Sequence, residues 1–410
     1  MIKKLIYRFL KYRHYWRFAG FDELSELYVS MMFRSMAISL SGLFIPLYLI
    51  RLDFDLPSIL MVVAWYFTFR FVIFDWLAGL VVAWFGPKHG LLTSNFLFIA
   101  SASLFLTLGS FSWPVWLLGG LWGAAQSFFF VSFNTDFSKV KHSQHGGKEL
   151  GYVTIMEKVG AMLGPLVGGV IATLFGPQFL FITAILLLVG GLFPLFQSAE
   201  PTPTSQRIKI KNFKIDGRTR DYFSYAAVGI ENNISLFIWP LFLGLFVLVG
   251  PLAYAKLGLL ISLSFIASIL AAQAIGKLID DRKGRPLMRY SALANAIIHL
   301  CRPLTSTYPV AFGLNVLNDL VTPGFRMPYL KGMFDAADEF SDQRIVYLTT
   351  MEMFSSMFKA LNCWLLVILS LGLQPMQVMI AGFVIAAISS ILIMSENFKA
   401  LNQGNIIKSK

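Results

Sequence analysis

Twelve apolar stretches, each near or above the roughly 20 residues that cross a bilayer as a helix, run almost end to end through these 410 residues. They fall at 27–50, 57–85, 90–110, 113–135, 151–175, 178–198, 224–249, 252–279, 287–306, 308–330, 345–371 and 375–396. Such a series points to one fold class, an all-α polytopic membrane protein. Composition excludes the others: 56% of residues are hydrophobic and 14% charged, against roughly 25% charged in a soluble domain. A soluble enzyme, a disordered scaffold and a disulfide-rich secreted domain do not share that balance. The two cysteines, Cys301 and Cys363, lie far apart in apolar stretches without zinc or redox spacing. They are expected to be buried, inert thiols.

The net charge of +12 speaks of topology rather than of nucleic acid. Of the 34 Lys and Arg residues, 27 fall on the side that carries both chain ends. Arg51, Lys256 and Arg302 fall opposite, and Arg34, Arg70, Lys158 and Lys359 lie within spans. Positive charge collects on the cytoplasmic side, which places both termini in the cytoplasm of a multi-pass cell-membrane protein. No nucleic-acid partner is implied, and no cleavable signal peptide is visible. Residues 1–25 begin with Leu5, Ile6, Phe9 and Leu10 interleaved with Lys3, Lys4, Arg8 and Lys11. That spacing predicts a basic amphipathic helix on the inner leaflet.

The longest polar interruption, residues 200–223, holds Pro, Ser, Thr and six cations. Six spans precede it and six follow. The expected units are a first bundle at 26–199, a cytoplasmic linker at 200–223, a second bundle at 224–397 and a cytoplasmic tail at 398–410. The halves are alike in detail. Tyr152 to Glu157 (YVTIME) recurs as Tyr347 to Glu352 (YLTTME), an offset of 195. Leu43 to Tyr48 (LFIPLY) recurs as Leu236 to Phe242 (LFIWPLF) with one residue inserted. Both matches pair helix n with helix n+6, which favours a duplicated six-helix unit with a substrate site between the halves.

After the eighth span comes GKLIDDRKGR, with Gly276, Asp281, Arg282, Gly284 and Arg285. The fifth span holds GAMLGPLVGG, with Gly160, Gly164, Pro165, Gly168 and Gly169. The first run resembles the loop that joins helices 8 and 9 in the major facilitator superfamily. The second resembles helix 5 of that superfamily's proton-driven drug antiporters. The loop between spans 2 and 3 keeps a partial counterpart in Gly79, Gly86 and Lys88, with Ala83 where an acid is usual. Physically, the charged loop can lock one face by pairing with helix ends. Glycines four apart let another helix approach closely, and Pro165 frees a backbone bond and permits a bend.

The resemblance covers residues 24–397 and implies two pseudo-symmetric six-helix bundles around a central cavity, working by alternating access. It implies that helices 1, 4, 7 and 10 line the cavity. Arg34, Gln126, Glu231, Asn232, Asn233, Asn318 and Asp319 would then face it, and a monomer suffices.

A charge in hydrocarbon costs at least about 2.5–3.5 kcal/mol on insertion scales. Arg34, Arg70, Asp75, Glu157, Lys158, Glu231, Asp319, Glu352 and Lys359 are therefore candidates for substrate or ion coupling. Arg34 and Glu231 stand at similar depth and are expected to meet across the cavity, with Glu231 taking and releasing a proton. His299, in the ninth span, is expected to be structural. No phosphate-cradling loop, metal-ligand pair or nucleophile elbow is present, so neither cofactor, metal nor enzymatic activity is expected. The function expected is secondary active transport of a small or amphipathic solute through the lipid bilayer, proton-coupled, with export slightly favoured. A lipid or lysolipid flippase on the same fold and a polytopic membrane enzyme are the alternatives.

Overall fold

A computed structural model describes residues 21–140, 146–192, 219–248, 250–280, 284–340, 343–398 and 401. The amphipathic segment expected over the first twenty residues, most of the 200–223 linker, Asp281, Arg282 and most of the tail lie outside the described residues. Twelve helical rods account for the rest. The first half comprises α1 (Phe21–Arg51), α2 (Leu56–Phe85), α3 (Pro87–Thr107), α4 (Val115–Val140), α5 (Gly146–Leu174) and α6 (Gln178–Leu192). The second comprises α7 (Thr219–Phe246), α8 (Ala253–Asp280), α9 (Gly284–Cys301), α10 (Tyr308–Asp338), α11 (Arg344–Ser370) and α12 (Pro375–Leu392).

Among the described residues nine rods are long and apolar enough to span a membrane on length and composition alone. Of the others, α6 is shorter, whereas α9 and α10 spend buried positions on polar side chains such as Asn295, His299, Asn318 and Asp319. Several boundaries differ from expectation by five residues or more, two of them at polar ends. Helix α7 starts at Thr219, inside the stretch assigned to the linker, and α10 runs on to Asp338. Both extensions are polar, and a helix can continue past the apolar part that crosses the lipid.

The packing repeats. Helix α1 lies on α5 and α6, α3 on α4 and α6, and α2 on α4. Adding six to each number gives the second half: α7 on α11 and α12, α9 on α10 and α12, and α8 on α10. The halves meet along α5–α8 and α2–α11, which the same operation exchanges. Two six-helix bundles related by a pseudo-two-fold therefore share one long seam.

The one-residue insertion has a structural outcome. Helix α1 tightens into a 3-10 turn at Gly42–Phe44. At the equivalent place α7 widens into a π turn at Ile234–Ile238, just before the inserted Trp239. A π turn holds an extra residue and is frequent at functional sites. Helix α2 has its own π turn at Arg70–Phe74.

Depth organises the core. One apolar cluster takes Ala37–Leu49 of α1, Ile59–Phe67 of α2, Ile234–Leu243 of α7 and Ala360–Val367 of α11. A second takes Phe129–Phe137 of α4, Tyr222–Val228 of α7, Phe325–Ala337 of α10 and Tyr347–Met351 of α11. Each cluster bridges both halves. Between them, at mid-depth, lies a layer of buried polar side chains: Arg34, Arg70, Asp75, Gln126, Glu231, Asp319, Glu352 and Lys359.

Candidate functional site

The centre of this layer is a charged cluster on the α2–α11 seam. The spacing of Glu352, Ser356 and Lys359 puts them on one face of α11. Arg70 of α2 donates to Glu352 at 3.0 Å and to Asp75 at 3.4 Å. Residues five apart do not share a face of an α-helix. The π turn, in which the Asp75 N–H reaches the Arg70 carbonyl, brings Asp75 round to Arg70. The other Asp75 oxygen accepts from Ser356 at 2.6 Å. The second Glu352 oxygen accepts from Asn134 of α4 at 3.0 Å and from the Tyr225 hydroxyl of α7. Four helices of both halves thus converge on two carboxylates.

A second tie crosses α5 and α10. Lys158 lies 3.8 Å from Asp319, whose other oxygen accepts from Ser264 at 2.6 Å. Glu157 lies 3.9 Å from Arg326 in a more open setting. Toward the end where α7 begins, Arg344 of α11 donates to the Ser138 carbonyl of α4 at 2.6 Å, and the Phe137 and Phe334 rings meet at 5.1 Å. At the far end, the Arg51 guanidinium lies over the Tyr254 ring at 4.4 Å. The halves are joined at both ends.

Arg34 and Glu231 do not meet. Arg34 donates to Asn95 at 2.9 Å and to Gln126 at 3.3 Å, and its guanidinium lies over Phe129 at 3.9 Å. A cavity of about 10 Å³ beside it, bounded by Ser30, Asn95 and Phe133, has room for about one water. Glu231 accepts from Ser235 at 2.9 Å and Asn295 at 3.0 Å, and touches His299 at 3.1 Å. The Arg302 guanidinium contacts the other ring nitrogen of His299 at 3.1 Å. Because Arg can only donate, that nitrogen accepts and Nε2 carries the proton toward Glu231. All these partners belong to the residue's own half. Spacing shows which residues share a helix face; it does not show that the face turns into its own half, toward α3 and α4 for Arg34 and toward α9 for Glu231.

The remaining candidates are dispersed. Asn318 accepts from Arg302 at 2.9 Å, Asn233 donates to the Cys363 sulfur at 3.3 Å, and Asn232 is half-buried. Gly79 sits on the seam: a methyl there would lie 2.7 Å from the Thr349 hydroxyl. Gly86 ends α2 at φ 94°, ψ 164°, a conformation open only to glycine, and Lys88 is buried at the start of α3. Gly276 is buried within α8, and Gly284 opens α9 near Pro328. Arg285 pairs with Glu396 at 3.0 Å, inside the second half.

Along α5 the glycines serve two neighbours. A methyl at Gly160 would lie 2.2 Å from the Met32 carbonyl oxygen, and methyls at Gly164 and Gly168 would strike the α1 backbone at Met36 and Leu40. Gly169 faces Tyr254, and Gly258 of α8 faces the Pro165 carbonyl. Pro165 stands inside an unbroken helical span.

Residues 27–325 match the sequence family described as the Major Facilitator Superfamily. The chain belongs to that superfamily. Solved superfamily structures share its fold at low identity. The transporter FucP in its outward conformation is 12% identical, with a TM-score of 0.63 over 90% of this chain and 96% of that one. A second structure, of the E. coli fucose:proton symporter FucP, gives 0.60 at 12% identity, covering 90% and 96%. The human organic anion transporter MFSD10 gives 0.65 at 12% identity, covering 91% and 98%. No curated protein sequence matches the chain.

Several residues of this superfamily member went unnoticed in the sequence because they are uncharged. Asn134 and Tyr225 complete the Glu352 site, Asn95 holds Arg34, and Asn295 holds Glu231. Asparagines inside apolar spans carry the same signal as charges, since each needs buried partners. Arg302, counted on the side opposite the termini from its place near the end of the ninth span, is 1% exposed.

Proposed function

We propose that this chain is a secondary transporter that carries a small solute by alternating access, with proton coupling at Glu352. The observation that carries the reading is the Arg70–Glu352 pair, 3.0 Å long, buried where the two halves meet. Breaking such a pair leaves an uncompensated charge in a dry site. A proton on Glu352 removes that obstacle and lets α2 part from α11, so protonation and rocking are tied. The halves then open one end at a time around the mid-depth layer. The superfamily structures support this reading, one of them being of a fucose:proton symporter.

The test needs no substrate. Spin labels at Asp53 and Leu252 report the far end, and labels at Phe85 and Tyr290 the end where α7 begins; all four positions are exposed. In lipid nanodiscs the two distances should change in opposite senses as pH is varied. Glu352→Gln should keep both states and lose the pH response. Distances that stay fixed, or that lengthen together, would sink the reading.

A further inference from the structure

One cation of the seam has no partner. Lys359 is 8% exposed, stands midway along α11, and has no carboxylate within 4 Å and no hydrogen-bond acceptor among the described residues. The nearby acids are already occupied. Both Asp75 oxygens and both Glu352 oxygens accept from Arg70, Ser356, Asn134 or Tyr225. Its ammonium lies 4.9 Å from the Phe67 ring centre of α2, which attracts the charge without taking up its three N–H donors.

The residue three further on repeats the pattern. Asn362, 6% exposed, has no partner among the described residues for either its amide nitrogen or its oxygen. Residues three apart are neighbours on a helix face. An ammonium and a buried amide, neither with a hydrogen-bond partner among the described residues, are therefore neighbours on α11.

The room for the lysine stem is built in. Lys359 stands at the repeat position of Gly164, which packs directly against α1. In the second half the small residue has moved to the partner helix. A methyl at Gly229 of α7 would lie 3.1 Å from the Lys359 Cε. The glycine admits the lysine stem, so the fold accommodates this cation rather than merely tolerating it.

We propose that Lys359 and Asn362 seat the charged head of the transported solute, and that the solute is a small organic oxyanion bearing a hydroxyl group. The inference rests on the transporter reading above. The oxyanion accepts from the ammonium and from the Asn362 amide nitrogen, and the hydroxyl donates to the Asn362 oxygen. Phe67 packs against the apolar part. Because Phe67 belongs to the first half and Lys359 to the second, the solute bridges the elements that must move apart.

Thermal unfolding of the purified full chain in detergent tests this, with lactate and gluconate as probes. Their uncharged counterparts are propane-1,2-diol and sorbitol, at matched ionic strength. At least one anion should raise Tm where its counterpart does not. Lys359→Met and Asn362→Leu should each weaken that anion's apparent affinity at least tenfold, and Lys359→Arg should retain part of it. If Lys359→Met fails to fold, loss in Asn362→Leu with retention in Lys359→Arg still decides for the proposal. Equal effects of anions and counterparts, or a wild-type response in Asn362→Leu, would overturn it. Spin-label distances that still exchange in that case would leave the transporter reading standing and remove only the anion.

Discussion

Arg70 and Glu352, 282 residues apart in sequence, form a 3.0 Å ion pair with side-chain exposures of 1% and 3%. No other buried pair among the described residues joins Arg to a carboxylate across the two halves. Its surroundings make it directional: the π turn aims Arg70 and Asp75 together, and Asn134 and Tyr225 fix Glu352 from the opposite side.

Removing both members should cost less than the sum of removing each. Arg70→Met or Glu352→Ala alone should destabilise by about 3–5 kcal/mol, since each strands a buried charge. The double variant should recover at least about 1.5 kcal/mol of the summed loss. Denaturant unfolding of the four proteins gives the coupling energy directly, and strict additivity would mean that the pair is independent in solution.

Glycines of equal composition should behave oppositely. Gly160→Ala puts a methyl 2.2 Å from the Met32 carbonyl oxygen, so α5 must move off α1. A loss of about 1–3 kcal/mol follows from such overpacking. A methyl at Gly190 of α6 meets nothing within 4 Å, and Gly190→Ala should be neutral or stabilising by up to about 1 kcal/mol. Thermal unfolding midpoints of the two variants provide the comparison.

Glu231 belongs to a network within the second half, and its variants should show it. Glu231→Gln should lower thermal stability while leaving the pH response of the end-to-end distances intact, the reverse of Glu352→Gln. His299→Phe should do the same, because Glu231 and Arg302 both lose a partner. A lost pH response in Glu231→Gln with unchanged stability would transfer the coupling role to that residue.

Orientation can be read by chemical labelling. With Cys301 and Cys363 replaced, single cysteines at Ser112 and Thr219, both exposed, should react with a membrane-impermeant maleimide from opposite sides. Ser112 should label in intact cells and Thr219 only after permeabilisation. The converse would invert the topology derived from the 27 cations on one side.

Much of the fold was legible because lipid is an undiscriminating solvent: a 20-residue apolar run has one outcome there. The repeat was legible too, down to the residue whose insertion becomes the α7 π turn. The depth of Arg70, Glu352 and Lys359 could be counted along their spans. The pairing was not countable. Arg34 and Glu231 share a depth, but each turns into its own half, and a helix can be rotated about its axis without altering its apolar length. Arg70 and Asp75 were out of phase on any regular helix. Only the wide turn between them, invisible in composition, makes them partners.

The two apolar layers that enclose the charged one are also electrical insulators in series. With both intact, the membrane voltage is shared between them. When one parts, the whole voltage falls across the other, and the charged layer takes the potential of the compartment it faces. A unit charge carried through that swing is worth about 2.3 kcal/mol per 100 mV. Lys359 and Arg70 balance Asp75 and an ionised Glu352, so the empty cluster moves no net charge; nor does one that holds an anion together with a proton on Glu352. Voltage would then act only on a stroke in which anion and proton do not travel together.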